Sequence, residues 1–259
     1  MVSKLYPHIP PMTMWRAWEY AAYKHYNLTE PVLDIGCGDG QFFRLVWPEI
    51  RDVIGVDIEP GVVKAAKETG FYRDVYIIPA HDMPFAPGSF ASVFANCSLE
   101  HMDHLPEVLE CIARVLHSGG TFLLSVATDK FLEWASLPLL ISCVGVPERA
   151  VFLQDEYISF HHLVNPLSPQ KWVGQLESAG FEVLEYMPIL PELNGRIFLF
   201  IDNLWHVKLG MKEIGGFLEE YFATLPNFPI AFGEIMHGLL NAEKIWQIGC
   251  GAVFYVRKT

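Results

Sequence analysis

Asp34-Ile35-Gly36-Cys37-Gly38-Asp39-Gly40 carries the densest chemical signal in the chain. Alternate glycines lack the Cβ atoms that keep a ligand away, so such a loop presents its backbone N–H groups at close range. The spacing is G-x-G-x-G, which departs from the G-x-G-x-x-G pattern of dinucleotide-binding turns. Further along, Asp57 closes the apolar run VIGVD. A carboxylate at the end of a strand there can accept hydrogen bonds from both hydroxyls of an adenosine ribose. A tight turn and a helix-capping aspartate would explain either feature alone, but explain the pair poorly.

These residues need elements to hold them. Val32 to Ile35 reads as a buried strand feeding the glycine turn, and Gln41 to Val46 as the helix after it. Asp52 to Val56, Val75 to Ile78, Phe90 to Ala95 and Thr121 to Val126 read as further strands. Gly61 to Thr69, behind Pro60, and Leu105 to Leu116 read as the helices between them. This alternation predicts right-handed crossovers and a parallel sheet covered on both faces. Before it, Met14 to Tyr26 reads as an aromatic-rich helix. After it, Asp129 to Val144 reads as one helix carrying Pro138. Ser168 caps a helix with Pro169 at its first position and Gly180 at its stop. Phe181 to Met187 and Gly251 to Arg257 complete the strands. The chain is expected as one domain: residues 1–30 a helical lid, 31–127 a cofactor-binding core, 128–167 an acceptor-side segment, and 188–248 an apolar insert before the last strand.

The composition agrees with a folded enzyme-sized chain. It has 259 residues, 51% of them hydrophobic and 19% charged, which excludes disordered and low-complexity classes. The formal net charge is −12, so there is no basic excess for binding nucleic acid phosphates. Cys37, Cys97, Cys111, Cys143 and Cys250 are scattered without a C-x-x-C pair, as expected of reduced cytoplasmic thiols. The N-terminal stretch MVSKLYPHIPPMTMW is interrupted by prolines and has no apolar core of a secretory signal. No run is long enough to span a membrane.

Taken together, VLDIGCGDG, VIGVDIEP, AHDMPFAPGSFASVFANCSLEHM and LHSGGTFLLSV resemble the class I S-adenosylmethionine-dependent methyltransferases of the small-molecule type. The resemblance is strong over residues 30–127. It is weaker through SPQKWVGQLESAGFEVLEY and GAVFYVRK. It implies a Rossmann-like α/β fold with a seven-stranded sheet in order 3-2-1-4-5-7-6, strand 7 antiparallel and helices on both faces. It implies S-adenosyl-L-methionine as cofactor and a small-molecule acceptor. Asp34 and Gly36 would then lie beside the methionine part of the cofactor, with Cys37 in the same turn, and Gly38 would allow close approach. Asp57 would hold the ribose and Ile58 the adenine face. Asp82 and Met83 would border the adenine amino edge, and Asn96 and Cys97 would face the sulfonium end. The chain departs from the family pattern at Pro79, where an acid is common, at Ala91-Ser92, and at His117-Ser118 before the double glycine.

Methyl transfer to an alcohol gains from a general base, and histidine is the side chain best tuned to neutral pH. His101 follows the fourth strand at its ligand-binding end. It is a candidate base, or else a support for the cofactor loop. Glu100 and His104 are second choices. His161 and His162 lie in a segment where acceptor-site residues are common. Adjacent residues on an extended segment point opposite ways and no neighbouring acid completes a ligand set, so no metal site is expected. Trp15, Trp18, Tyr20 and Tyr23 could lid the cofactor or pack on the sheet. Phe198, Phe200, Trp205, Phe217, Tyr221 and Phe222 could line an acceptor chamber, add to the core or form a homodimer interface. Three other readings stay open. One is a methyltransferase for a glycoconjugate sugar or lipid-linked acceptor. Another is a cofactor-binding regulator without turnover. The last is a nicotinamide-dependent reductase, which the glycine spacing and the missing Tyr-x-x-x-Lys pair disfavour.

Overall fold

Apolar runs without polar alternation become the central strands, buried on both faces, and the computed structural model, which describes residues 2–259, places them in one sheet of seven strands. They are Val32–Ile35 (β1), Val53–Asp57 (β2), Asp74–Ile77 (β3), Phe90–Asn96 (β4), Leu116–Ala127 (β5), Phe181–Ile189 (β6) and Gly251–Lys258 (β7). Their order is β3-β2-β1-β4-β5-β7-β6. The pairs β1–β2, β1–β4, β2–β3 and β4–β5 are parallel. One strand runs antiparallel. Thr259 N donates to Gly180 O, and Cys250 N to Leu190 O, so the two chain directions oppose along β6 and β7. The Rossmann-like expectation holds, including the strand order.

The chain divides into two compact units. The first holds residues 22–127, 167–187 and 252–259. Its core comes from the sheet and its crossover helices. In the helix Leu105–Val115 the buried residues Leu105, Val108, Leu109, Ile112 and Val115 repeat at helical spacing and make one apolar stripe. Opposite them in sequence terms, Tyr23, Phe43 and Trp47 set their rings around Phe94 at centroid distances of 5.2, 5.6 and 4.9 Å. Ser168 accepts from Lys171 N and Pro169 opens the helix Pro169–Ser178, with Gly180 past its end at φ +86°, as expected from the sequence.

The second unit holds the chain up to Ala21 and residues 128–166 and 188–251. It is mostly helical, with a small hairpin of Lys208–Leu209 and Lys212–Glu213. Trp15 packs on Phe131 and Phe198, and Trp18 on Trp246, so these two tryptophans serve packing inside this unit. The single helix expected over 129–144 is two: Lys130–Glu133 and Ser136–Cys143. Pro138 explains the break. It has no N–H to donate and is accommodated only in the first turn of the second helix. The aromatic helix runs Pro10–Tyr23 instead of 14–26 for the same reason, since Pro10 and Pro11 suit a first turn. Strand β5 begins at Leu116, ahead of the expected Thr121, with irregular register against β4 near Phe90 and Ser92. At Gly120 a Cβ would stand 2.9 Å from His117 O and 3.0 Å from Ala91 O, so only glycine lets the strand pass there. No described helix is long and apolar enough to cross a membrane.

Candidate functional site

The glycine loop leaves β1 with Gly36 and Cys37 N–H groups both on Val56 O, at 2.8 and 3.1 Å, and closes with Gly40 N on Cys37 O at 3.0 Å. Gly36 has φ +66°, and a Cβ on it would lie 2.6 Å from Ser98 Cβ. Glycine is therefore required on two counts, backbone conformation and the wall made by the exit of β4. Gly38 has φ +55° and nothing within 4 Å of a would-be Cβ, so the loop's outer side is open. Asp57 anchors this loop: its Oδ2 accepts from Gly38 N at 2.9 Å and its Oδ1 from Glu59 N at 3.0 Å. An ionised carboxylate has about four acceptor sites. Two backbone donors thus fix the orientation of Asp57 while each oxygen keeps acceptor capacity. Next to it Ile58 is 71% exposed, an apolar surface with no structural use in the strand. A cradle without Cβ atoms, an oriented carboxylate and an exposed aliphatic side chain suit the phosphate-free, diol-bearing, flat-ringed part of S-adenosylmethionine.

Other expected cofactor residues are placed differently. Asp34 is buried, and its Oδ2 accepts from Tyr72 Oη at 2.6 Å. Burial, with Asp34 next, pushes the Tyr72 hydroxyl well above its ordinary value and keeps it a donor. Tyr72 carried no signal in the sequence, yet its ring also stands 2.2 Å from where a Cβ on Gly40 would be. Cys37 is buried, and burial followed by Asp34 and Asp57 raises its thiol, so it stays protonated and unreactive. Met83, expected to border the adenine amino edge, offers only its backbone for that role. Its side chain is 2% exposed in the hydrophobic core and its carbonyl accepts from Arg114. Met83 leaves the turn Ala80–Asp82 in extended conformation with its side chain inward, while Asp82 stays exposed.

At the end of β4, Asn96 Oδ1 accepts from Tyr23 Oη at 2.7 Å. Cys97 adopts φ +48°, rare for a side-chain-bearing residue, and its Sγ donates to Glu100 Oε1 at 3.0 Å. Glu100 is fully buried. Its Oε1 also accepts from Ala127 N at 2.9 Å, and its Oε2 has no partner among the described residues. His101, closing the turn Leu99–His101, keeps its Nε2 at 3.9 Å from Glu100 Oε1 and is about one-third exposed. His104 is exposed, at the start of the next helix with φ +58°.

His161 and His162 are not on an extended segment. His161 ends the helix Pro147–His161, and His162 caps it at φ +46°. The missing acid also exists. Asp202 Oδ2 lies 3.0 Å from His161 Nε2, and His206 Nε2 lies 3.6 Å from Asp202 Oδ1. Tyr157 Oη also bonds Asp202, and His206 Nδ1 bonds Glu213 Oε2 at 3.0 Å. Burial alone would raise Asp202. Hydrogen bonds from His161 and His206 outweigh it and hold the carboxyl well below its usual range. His206 shows the converse: burial lowers it, but Asp202 and Glu213 win and raise it. The i,i+4 spacing of Asp202 and His206 on one helix was readable in DNLWH, whereas the fold alone brings His161 to them.

The family model described as a methyltransferase domain matches residues 33–124, which span the glycine loop, Asp57 and β4. A demethylmenaquinone methyltransferase of Tropheryma whipplei is 31% identical over 173 residues, 64% of this chain and 72% of that protein. The chain belongs to the class I S-adenosylmethionine-dependent methyltransferases. A demethylmenaquinone methyltransferase of Symbiobacterium thermophilum is 29% identical, over 45% of this chain and 51% of its own length. An uncharacterized methyltransferase of Schizosaccharomyces pombe is 34% identical, over 39% and 42%. The chain thus spans about half or less of these two relatives. Among solved structures, a methyltransferase of Thermotoga maritima superposes with TM-score 0.59 at 16% identity, covering 94% of this chain and 89% of that one. The cyclase SpnF superposes with TM-score 0.55 at 16% identity, covering 95% and 82%. These likenesses show the fold alone, and the second shows that the fold also carries other chemistry.

Proposed function

We propose that this methyltransferase transfers the methyl group of S-adenosylmethionine to an oxygen or nitrogen of a small, fairly hydrophobic acceptor. The observation that carries the reading is Asp57, locked by Gly38 N and Glu59 N beside an open glycine loop and the exposed Ile58. The bound cofactor supplies an electrophilic methyl on a sulfonium. Asp57 would hold the ribose hydroxyls, Ile58 would cover one face of the base, and the loop at Gly38 would admit the cofactor's body closely. The chain's task is alignment and exclusion of water. For a hydroxyl acceptor, an imidazole nitrogen of His101 takes the proton. The buried Glu100 carboxylate, 3.9 Å from Nε2, offsets the charge that forms. Several relatives bear quinone names, demethylmenaquinone methyltransferase or ubiquinone biosynthesis O-methyltransferase, which favours an apolar acceptor.

A lipid-linked or glycoconjugate acceptor is the second reading. It is favoured by Phe217, Ile230 and Ile235, exposed apolar side chains on the helices Ile214–Ala223 and Phe228–Ala242. The test is a screen of quinol, phenol, amine and lipid-linked acceptors with methyl-labelled cofactor, followed by mass location of the new methyl. Turnover on a quinol or phenol supports the first reading, and turnover only on lipid-linked acceptors supports the second. Cofactor binding without turnover on any class refutes both and leaves a binding protein.

A further inference from the structure

We propose that His161, Asp202 and His206 form a binding site for a divalent transition-metal ion of the zinc class, separate from the methyl-transfer residues. Their ligating atoms all lie within 4.8 Å of one another. Two imidazoles and one carboxylate are a donor set that suits zinc-class ions and leaves a fourth position open. The three come from two helices. His161 ends Pro147–His161, while Asp202 lies on Glu192–Trp205 and His206 caps that helix one turn later.

The surroundings have the features a metal site needs behind its ligands. Glu213 Oε2, 3.0 Å from His206 Nδ1, takes that nitrogen's proton-bearing side and turns Nε2 toward Asp202. A carboxylate behind a ligating histidine sets its tautomer and raises its basicity. Tyr157 Oη bonds Asp202 and would hold the carboxylate's orientation. Rings fix the imidazoles from the sides: Tyr157 on His161 at 4.5 Å and Phe160 on His206 at 3.8 Å between centroids.

A second, independent feature points to an occupant. A pocket of about 30 Å³ in the same unit, room for about one water-sized group, is lined by Leu137, Leu153, Tyr157, Phe160, Asn203 and His206. Asn203 is 5% exposed beside the Tyr157 hydroxyl, and neither its Oδ1 nor its Nδ2 makes a hydrogen bond of good geometry among the described residues. A buried amide with both ends unmet costs stability unless something polar meets it. A water molecule in the pocket would meet the Asn203 amide and could reach the open position of the ion.

The probe is Co²⁺, titrated into the full chain after chelator treatment and followed by visible absorption. One ion per chain is expected, with the intense visible bands of tetrahedral cobalt and no near-ultraviolet thiolate band. His206→Ala is expected to abolish saturable binding. Glu213→Gln, which removes no ligand and changes a partly exposed side chain, is expected to weaken it about 10- to 100-fold. Thermal melting checks that both variants fold. A thiolate band would place the ion at Cys97, Glu100 and His101, the other close donor set, and overturn the assignment. Absence of saturable binding, or equal affinity in folded Glu213→Gln, would overturn it too. Binding of S-adenosylhomocysteine, measured in parallel, separates this result from the methyltransferase reading.

Discussion

Replacing Asp57 by Asn tests the cofactor site most sharply because it keeps shape while removing the charge and one acceptor oxygen. In the wild-type chain Oδ2 accepts from Gly38 N at 2.9 Å and Oδ1 from Glu59 N at 3.0 Å. Asn retains one acceptor oxygen, so at least one ribose hydroxyl loses its charged partner. Hydrogen bonds to charged groups are worth about 1.5–3 kcal/mol, and each 1.4 kcal/mol is tenfold in affinity. The dissociation constant for S-adenosylhomocysteine should therefore rise by about 10- to 150-fold, and by more in Asp57→Ala. The N–H released from Glu59 is exposed and regains a bond to water, so stability should fall by about 1 kcal/mol or less. Calorimetric titration with S-adenosylmethionine, S-adenosylhomocysteine and NAD reads affinity, and a melting curve reads fold. An unchanged constant in a folded Asp57→Asn protein would refute the ribose assignment. NAD binding more tightly than either adenosyl ligand would refute the site as a whole.

Gly36→Ala should cost well over 1 kcal/mol in thermal unfolding and abolish cofactor binding, because its Cβ would lie 2.6 Å from Ser98 Cβ at φ +66°. Adding Ser98→Gly should recover only part of the stability, since the backbone strain persists; full recovery would show that contact alone dictates glycine. Tyr72→Phe leaves Asp34 without the 2.6 Å hydroxyl donor, and chemical denaturation should show a loss of about 1–3 kcal/mol. His101→Ala should cut turnover of a hydroxyl acceptor by about 10² to 10⁴ with cofactor affinity within about threefold. A loss confined to His161→Ala or His162→Ala under the same assay would move the base to that segment, and a loss of cofactor binding in His101→Ala would make it a loop support.

The cofactor half was legible because its signals are local. An unbroken apolar run means a doubly covered strand. Alternate glycines mean a loop without Cβ atoms. An acid ending the next strand sits at the sheet's ligand-binding edge. Those rules place Gly36, Gly38 and Asp57 without knowledge of any distant contact. The rules fail where a side chain's direction depends on partners remote in sequence. Met83 turns into the core, and Asp34 is occupied by Tyr72, 38 residues away. The pairing of His161 with Asp202, 41 residues apart, is of the same kind. Treating His161 and His162 as an extended segment hid the helix that carries His161. With Pro147 at a helix start and few periodic apolar positions, the segment offers no amphipathic stripe to read.

The placement of β7 between β5 and β6 has a consequence for how the chain folds. Leu190 and Cys250 are joined by a 3.0 Å backbone hydrogen bond at one end of the β6–β7 pair, and Gly180 and Thr259 by one of 3.1 Å at the other. Topologically this is a hairpin whose turn is a segment of about 60 residues. Closing a flexible loop costs about 0.6 kcal/mol more for each doubling of its length, so such a turn costs about 2 kcal/mol more than a short one if it is still a coil. Once Glu192–Trp205, Ile214–Ala223 and Phe228–Ala242 have coiled into helices, the coil to be closed is far shorter. The insert therefore acts as a folding element as well as a structural one. Its collapse should precede the zipping of β7, and helix-breaking changes in it should slow completion of the sheet.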